Sequence, residues 1–201
     1  MRTTKIRSIP QPGAPAVTGA APKAASLPRD TSVSRRKSAD RVRAVDIAAL
    51  VDVRDLTVPG GPVGQTWLRI FRPADAAEPL AVVLYVHGDR SAVGNARTRR
   101  LASKLVTDLH AAVVVVDYSL SPTARYPVAI EEAYTAAAWI AEHGDEHGLD
   151  GARIAVAADS TGCDLADELM LMADDRGGPN LAAHVLLSPR ATSVLRAALA
   201  A

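Results

Sequence analysis

Two stretches of this chain, LAVVLYVHG at 80–88 and AAVVVVDY at 111–118, are apolar at nearly every position and rich in valine. Runs of that length and composition suit β-strands covered on both faces, because a strand with one wet face would alternate instead. Arg97–Leu109, between them, carries a helical pattern, so the three segments read as strand, helix and parallel strand. Upstream, VDVRDLTV (51–58) and TWLRIF (66–71) do alternate, and they flank the turn PGGPVG, as in an antiparallel hairpin.

The same grammar continues downstream. Pro127 can open a helix at its first position, with Glu131 and Glu132 near the positive end of its dipole. Ile130, Ala133, Tyr134, Ala137 and Ala141 then follow helical spacing, and Gly144 supplies a stop. ARIAVAA (152–158) reads as a strand, about 162–175 as a helix, RGGPN as a turn and AAHVLLS (182–188) as a last strand. The expected fold class is therefore α/β: a mostly parallel sheet of roughly six strands with an antiparallel start, flanked by helices, with five strands parallel.

A chain of 201 residues that is 48% hydrophobic can bury one real core. Its net charge of +1 hides an asymmetry, since residues 1–43 carry ten Lys/Arg against two Asp. Residues 1–45, rich in Pro, Ala, Ser and Arg, are expected to be a disordered basic tail, and 46–201 a single domain. No aromatic residue is interleaved with the basic ones, so no specific nucleic-acid partner is expected. Cys163 is the only cysteine, which excludes an internal disulfide and a cysteine-based metal cluster and suggests a reducing compartment. His143 and His147 have i, i+4 spacing without an evident third ligand, so no metal is expected. No apolar run approaches the about 20 residues that cross a bilayer, and the N-terminus has no continuous apolar core of a secretory leader, so the expectation is a cytoplasmic protein with no membrane span. VVVVDY ends in an acid that could touch a ribose, but no G-x-G-x-x-G or P-loop follows any strand, which weighs against a dinucleotide-binding fold; no cofactor is implied.

One corner carries chemistry. RIAVAADSTGCDLADEL (153–169) passes from a strand through Ala158, Asp159, Ser160, Thr161 and Gly162 into a helix. A serine on such a turn has its hydroxyl pushed out of the sheet, beside the first amides of the helix. This is G-x-S-x-G with alanine for the first glycine.

Taken in order, YVHGDRSAVG (85–94), VVVDYSLSP (114–122), YPVAIEEAYTAAAWIAEH (126–143) and ARIAVAADSTG (152–162) resemble the hormone-sensitive-lipase-like branch of the α/β-hydrolases. That branch has an H-G-G-G loop with a later glycine, a D-Y-x-L-x-P turn, a helix with E-D-A-Y and W, and a G-D-S-A-G elbow. The resemblance covers about residues 50–190 and implies the N-terminal portion of a serine carboxylesterase or lipase, with an incomplete hydrolase sheet. It puts Ser160 on the nucleophile, the loop Gly88, Asp89 and Arg90 with the amide of Thr161 on the oxyanion hole, and His87 and Gly94 on loop support. Asp117, Tyr118, Leu120 and Pro122 match the structural turn.

Three departures bear on activity. Asp89 and Arg90 replace glycines where backbone donors must converge, and losing one such donor costs about a hundred- to a thousand-fold in rate. Cys163 stands at a family glycine and is expected to be a small buried thiol rather than a second nucleophile. The family's acidic and histidine partners lie beyond its sixth strand, whereas only about forty residues follow Ser160 here. Within the chain, His184 sits in an apolar strand, His87 in the loop, His110 before a strand, and Asp159 next to the serine itself, so none is a clear base. The expectation is an α/β-hydrolase relative that is catalytically impaired or silent. The alternative is an active hydrolase of small acyl esters through Ser160, completed by a partner chain. The apolar last strand is expected to leave an edge open to self-association or to a partner.

Overall fold

The structure is a computed structural model and describes residues 50–88, 95–119, 124–160, 162–188 and 191–200. These fall within one compact unit, 45–201. The expected basic tail, 1–45, lies outside the described residues.

Six strands form one sheet: β1 (Val51–Pro59), β2 (Gln65–Pro73), β3 (Leu80–Val86), β4 (Ala112–Asp117), β5 (Leu149–Ala158) and β6 (Leu181–Leu186), in the order β1-β2-β4-β3-β5-β6. β2 pairs antiparallel with β1 and β4, while β3 pairs parallel with β4 and β5, and β5 with β6. Five strands thus point one way and β2 runs against them, matching the expected mostly parallel sheet with an antiparallel start. The hairpin turn between β1 and β2 uses glycine where the chain needs positive φ, at Gly60, Gly61 and Gly64.

Burial explains the valine-rich runs. Every residue of β3 is buried, and alternate side chains serve opposite faces. Val82, Leu84 and Val86 join Val114, Val116 and Val156 under α2 (Val128–His143) and α3 (Gly162–Asp175). Ala81, Val83 and Tyr85 join Val113, Val115, Ala155 and Ala157 under α1 (Ala96–Leu109) and α4 (Ala191–Leu199). α1 begins where the Asn95 side chain accepts the Arg97 amide at 2.7 Å and ends with His110 left-handed at φ 51°.

The structure adds to the sequence expectations at three points. α2 starts at Val128, with Pro127 as its N-cap rather than its first residue. β5 begins at Leu149 rather than 152, because a 3₁₀ turn over Gly144–His147 carries the chain straight into pairing of Leu149 with Leu80. α4 follows β6, in a segment whose sequence pattern announces no element. Its Ala191, Leu195 and Leu199 recur every fourth residue and bury against the half of the sheet face that α1 does not cover. No helix among the described residues is long and apolar enough to cross a membrane.

Candidate active site

The strand-to-helix corner forms as the small residues require. β5 ends at Ala158, α3 begins at Gly162, and Ser160 between them is exposed with φ 49°, a left-handed conformation unusual for a residue with a β-carbon. The corner is closed by Gly162 N–H donating to the Asp159 carbonyl at 2.9 Å and Cys163 N–H to the Ser160 carbonyl at 3.2 Å. Thr161 lies outside the described residues.

Beside the corner is the end of β3. His87 is 2% exposed, its Nε2 lies 3.0 Å from the Val116 carbonyl oxygen, and its ring stacks on Tyr118 with centroids 4.6 Å apart. The Tyr118 hydroxyl donates to the His87 carbonyl. Gly88 N–H donates to Asp159 Oδ1 at 3.1 Å, so this amide faces the corner's own carboxylate. Burial, reinforced by the Asp159 carboxylate, pushes the phenols of Tyr85 and Tyr118 well above their ordinary range. Asp89, Arg90 and Gly94, the rest of the loop, lie outside the described residues, as do Leu120 and Pro122 of the turn after β4.

Two contributors escaped the sequence reading. Glu132 reads as an acid at the helix's positive end, but it is 2% exposed and accepts from Ser119 N–H at 2.5 Å and Ser119 Oγ–H at 3.0 Å, tying α2 to the segment after β4. The signal was its register, since Glu132, Ala136 and Ile140 lie at i, i+4, i+8 on the buried stripe. Tyr85 looked like one more core residue of a buried strand, yet its hydroxyl interacts with Asp159.

The other imidazoles are elsewhere. His184 on β6 pairs in register with Val156, two residues before β5 ends and four before Ser160. Its Nδ1 contacts Asp167 Oδ1 of α3 at 2.6 Å. His110 precedes β4, and His143 and His147 precede β5, where they flank Trp139 at 5.8 and 5.1 Å. All three therefore sit at the end of the parallel strands opposite to Ser160. Among the described residues no side chain is hydrogen-bonded to the Ser160 hydroxyl, and no group of three or more His, Cys, Asp or Glu could hold a metal ion. Burial and then the carboxylates of Asp159, Asp164 and Asp167 push the Cys163 thiol upward, which suits an inert thiol better than a second nucleophile.

Fold and corner together define an α/β-hydrolase, and comparison with known proteins agrees. Residues 83–200 match the alpha/beta hydrolase fold family, and this chain belongs to it. It is 41% identical over 141 residues to the esterase LipI of Mycobacterium tuberculosis, covering 68% of this chain and 43% of that protein. An acetyl esterase of Salmonella schwarzengrund is 37% identical over 106 residues, covering 52% of this chain and 32% of that one. Among solved structures, the hyperthermophilic esterase of Pyrobaculum calidifontis superposes with a TM-score of 0.60 at 40% identity, covering 67% of this chain and 44% of that chain. A thermostable esterase of Pseudomonas putida superposes with a TM-score of 0.63 at 31% identity, covering 77% and 55%. The chain thus spans about two fifths of the length of the curated relatives it matches.

Proposed function

We propose that this chain bears the nucleophile of a carboxylic-ester hydrolase site, Ser160, and that residues 50–200 alone leave it dormant or strongly impaired. The observation that carries the reading is the left-handed Ser160 on the corner between β5 and α3, exposed beside the end of β3. Esterase relatives support the reaction class. In the reaction, Ser160 Oγ bonds to the acyl carbon of a small ester and the bond to the alkoxy oxygen breaks. The hydroxyl proton passes by way of a base to the departing alcohol, and water then releases the acid by the reverse route. The amide of Thr161 and the loop from Gly88 to Arg90 are the assigned oxyanion stabilisers, with His87 and Gly94 supporting the loop.

Dormancy follows from proton transfer, because a serine hydroxyl with no base at hydrogen-bond distance is a weak nucleophile. A carboxylate and an imidazole from outside the described residues, or from a partner chain, would activate it. The test compares hydrolysis of p-nitrophenyl acetate by this chain and by Ser160→Ala. The expected outcome is a kcat far below the about 1–1,000 s⁻¹ of ordinary enzymes, yet above that of the variant. Equal rates would remove Ser160 from the mechanism, and an ordinary kcat would end the claim of dormancy.

A further inference from the structure

We propose that the cleft between α1 and α4 is a binding site for a small zwitterion with an apolar side chain, an α-amino acid of the phenylalanine kind. The proposal concerns binding alone and stands whether or not Ser160 is the nucleophile.

The cleft has a volume of about 640 Å³, within the roughly 300–1,000 Å³ of small-molecule sites. Its walls are apolar, with Leu101 and Leu105 on the α1 side and Leu187 and Ala191 on the other. Arg97, Leu101 and Leu105 recur every fourth residue along α1, so this wall runs about 12 Å at 1.5 Å per residue. Charge is confined to the two ends. Away from the corner, the Lys104 ammonium is paired with Asp108, so that end offers a ligand no net charge. Toward the corner stand Arg97 and Asp159. Beyond the effect of burial, Asp159 raises and Arg97 lowers the pKa of the Tyr85 hydroxyl, which puts both charges near one point.

These two groups are not spent on each other. No ion pair or side-chain hydrogen bond among the described residues engages the Arg97 guanidinium, which carries five N–H donors. The Asp159 carboxylate accepts Gly88 N–H at 3.1 Å and meets the Tyr85 hydroxyl, which leaves about two of its four acceptor positions open. A lone anion at this end would face Asp159, and a lone cation would face Arg97, so either gains one contact and meets one repulsion. A ligand with both charges on one carbon gains both contacts: its carboxylate takes the Arg97 fork and its ammonium donates to Asp159. Its side chain then lies against the leucines, out of water.

Isothermal titration calorimetry of the full chain tests this with L-phenylalanine and three relatives of it. N-acetyl-L-phenylalanine lacks the ammonium, L-phenylalaninamide lacks the carboxylate, and glycine lacks the side chain. Phenylalanine should bind saturably at millimolar concentration or below, and each of the others should bind more weakly by about tenfold or more. Arg97→Gln should weaken phenylalanine by about tenfold while leaving phenylalaninamide as it was or tighter. Asp159→Asn should weaken phenylalanine and spare N-acetyl-phenylalanine. Arg97 is exposed, so its variant keeps the test open if Asp159→Asn does not fold. Three results would each overturn the proposal: no saturable binding of phenylalanine by the wild type, equal affinity for either blocked derivative, or unchanged phenylalanine binding by Arg97→Gln.

Discussion

The α-carbon of Gly162 rests against the backbone that ends β3: a β-carbon at 162 would lie 2.5 Å from the Val86 carbonyl oxygen and 2.8 Å from the His87 carbonyl carbon. The start of α3 and the end of β3 are therefore in contact through backbone alone. Backbone cannot rotate away as a flexible side chain could. Gly162→Ala should destabilise the domain by about 1–3 kcal/mol, the usual cost of forcing a methyl into packed atoms. Chemical denaturation checks this, and an unchanged midpoint would mean that the two elements part readily.

Much of this arrangement was legible because the sheet's interior is written in runs. Fully buried β3 and β4 leave continuous valine-rich segments, and a serine between small residues at a strand end marks the corner. What escaped notice depended on contacts across sequence distance. Glu132 reads as an exposed helix-start acid until the segment after β4 comes to meet it. Tyr85 reads as bulk until Asp159 arrives beside its hydroxyl. Helix α4 is short, and its burial depends on where β5 and β6 lie beneath it.

Leu195 of α4 is fully buried between the sheet and α1, in the cluster that includes Ala155, Ala157 and Val185. Without it, alanine-lined sheet would face a void. Leu195→Ala should cost about 2–5 kcal/mol, whereas Val194→Ala, on the exposed side of the same helix, should lie within about 0.5 kcal/mol of wild type. Similar losses for both variants, measured by denaturant titration, would show that α4 is not docked through the face assigned to it.

Acid should weaken the hairpin through one pair. Asp55 and Arg69 sit directly opposite each other on β1 and β2 and share two hydrogen bonds, 2.6 and 2.7 Å long. The Arg69 guanidinium holds the Asp55 carboxyl below its usual range. The unfolded chain therefore binds more protons in that interval, so this contribution is fully present above the unfolded value of about 4 and fades as pH falls through the lower folded value. Because Asp55 is half exposed, the contribution stays under about 1 kcal/mol. The Tm difference between wild type and Asp55→Asn should be small at pH 7 and vanish near pH 2. A gap that persists there would assign the effect to something other than this charge.

The backbone of Ser160 carries its own signature. At φ 49° a residue with a β-carbon pays about 1–2 kcal/mol relative to right-handed geometry, a penalty that glycine escapes. Glycine also loosens the unfolded chain, which returns about 0.4–1 kcal/mol of that gain. Ser160 is exposed, so its side chain contributes little burial to either balance. Ser160→Gly should accordingly be as stable as Ser160→Ala or more stable by up to about 1.6 kcal/mol, the reverse of the order found at ordinary exposed positions, and neither should react with a fluorophosphonate. Differential scanning calorimetry of the two variants decides it: a clearly lower Tm for glycine would mean that the corner holds the serine without strain, and that its hydroxyl is presented by the loop instead of by the turn.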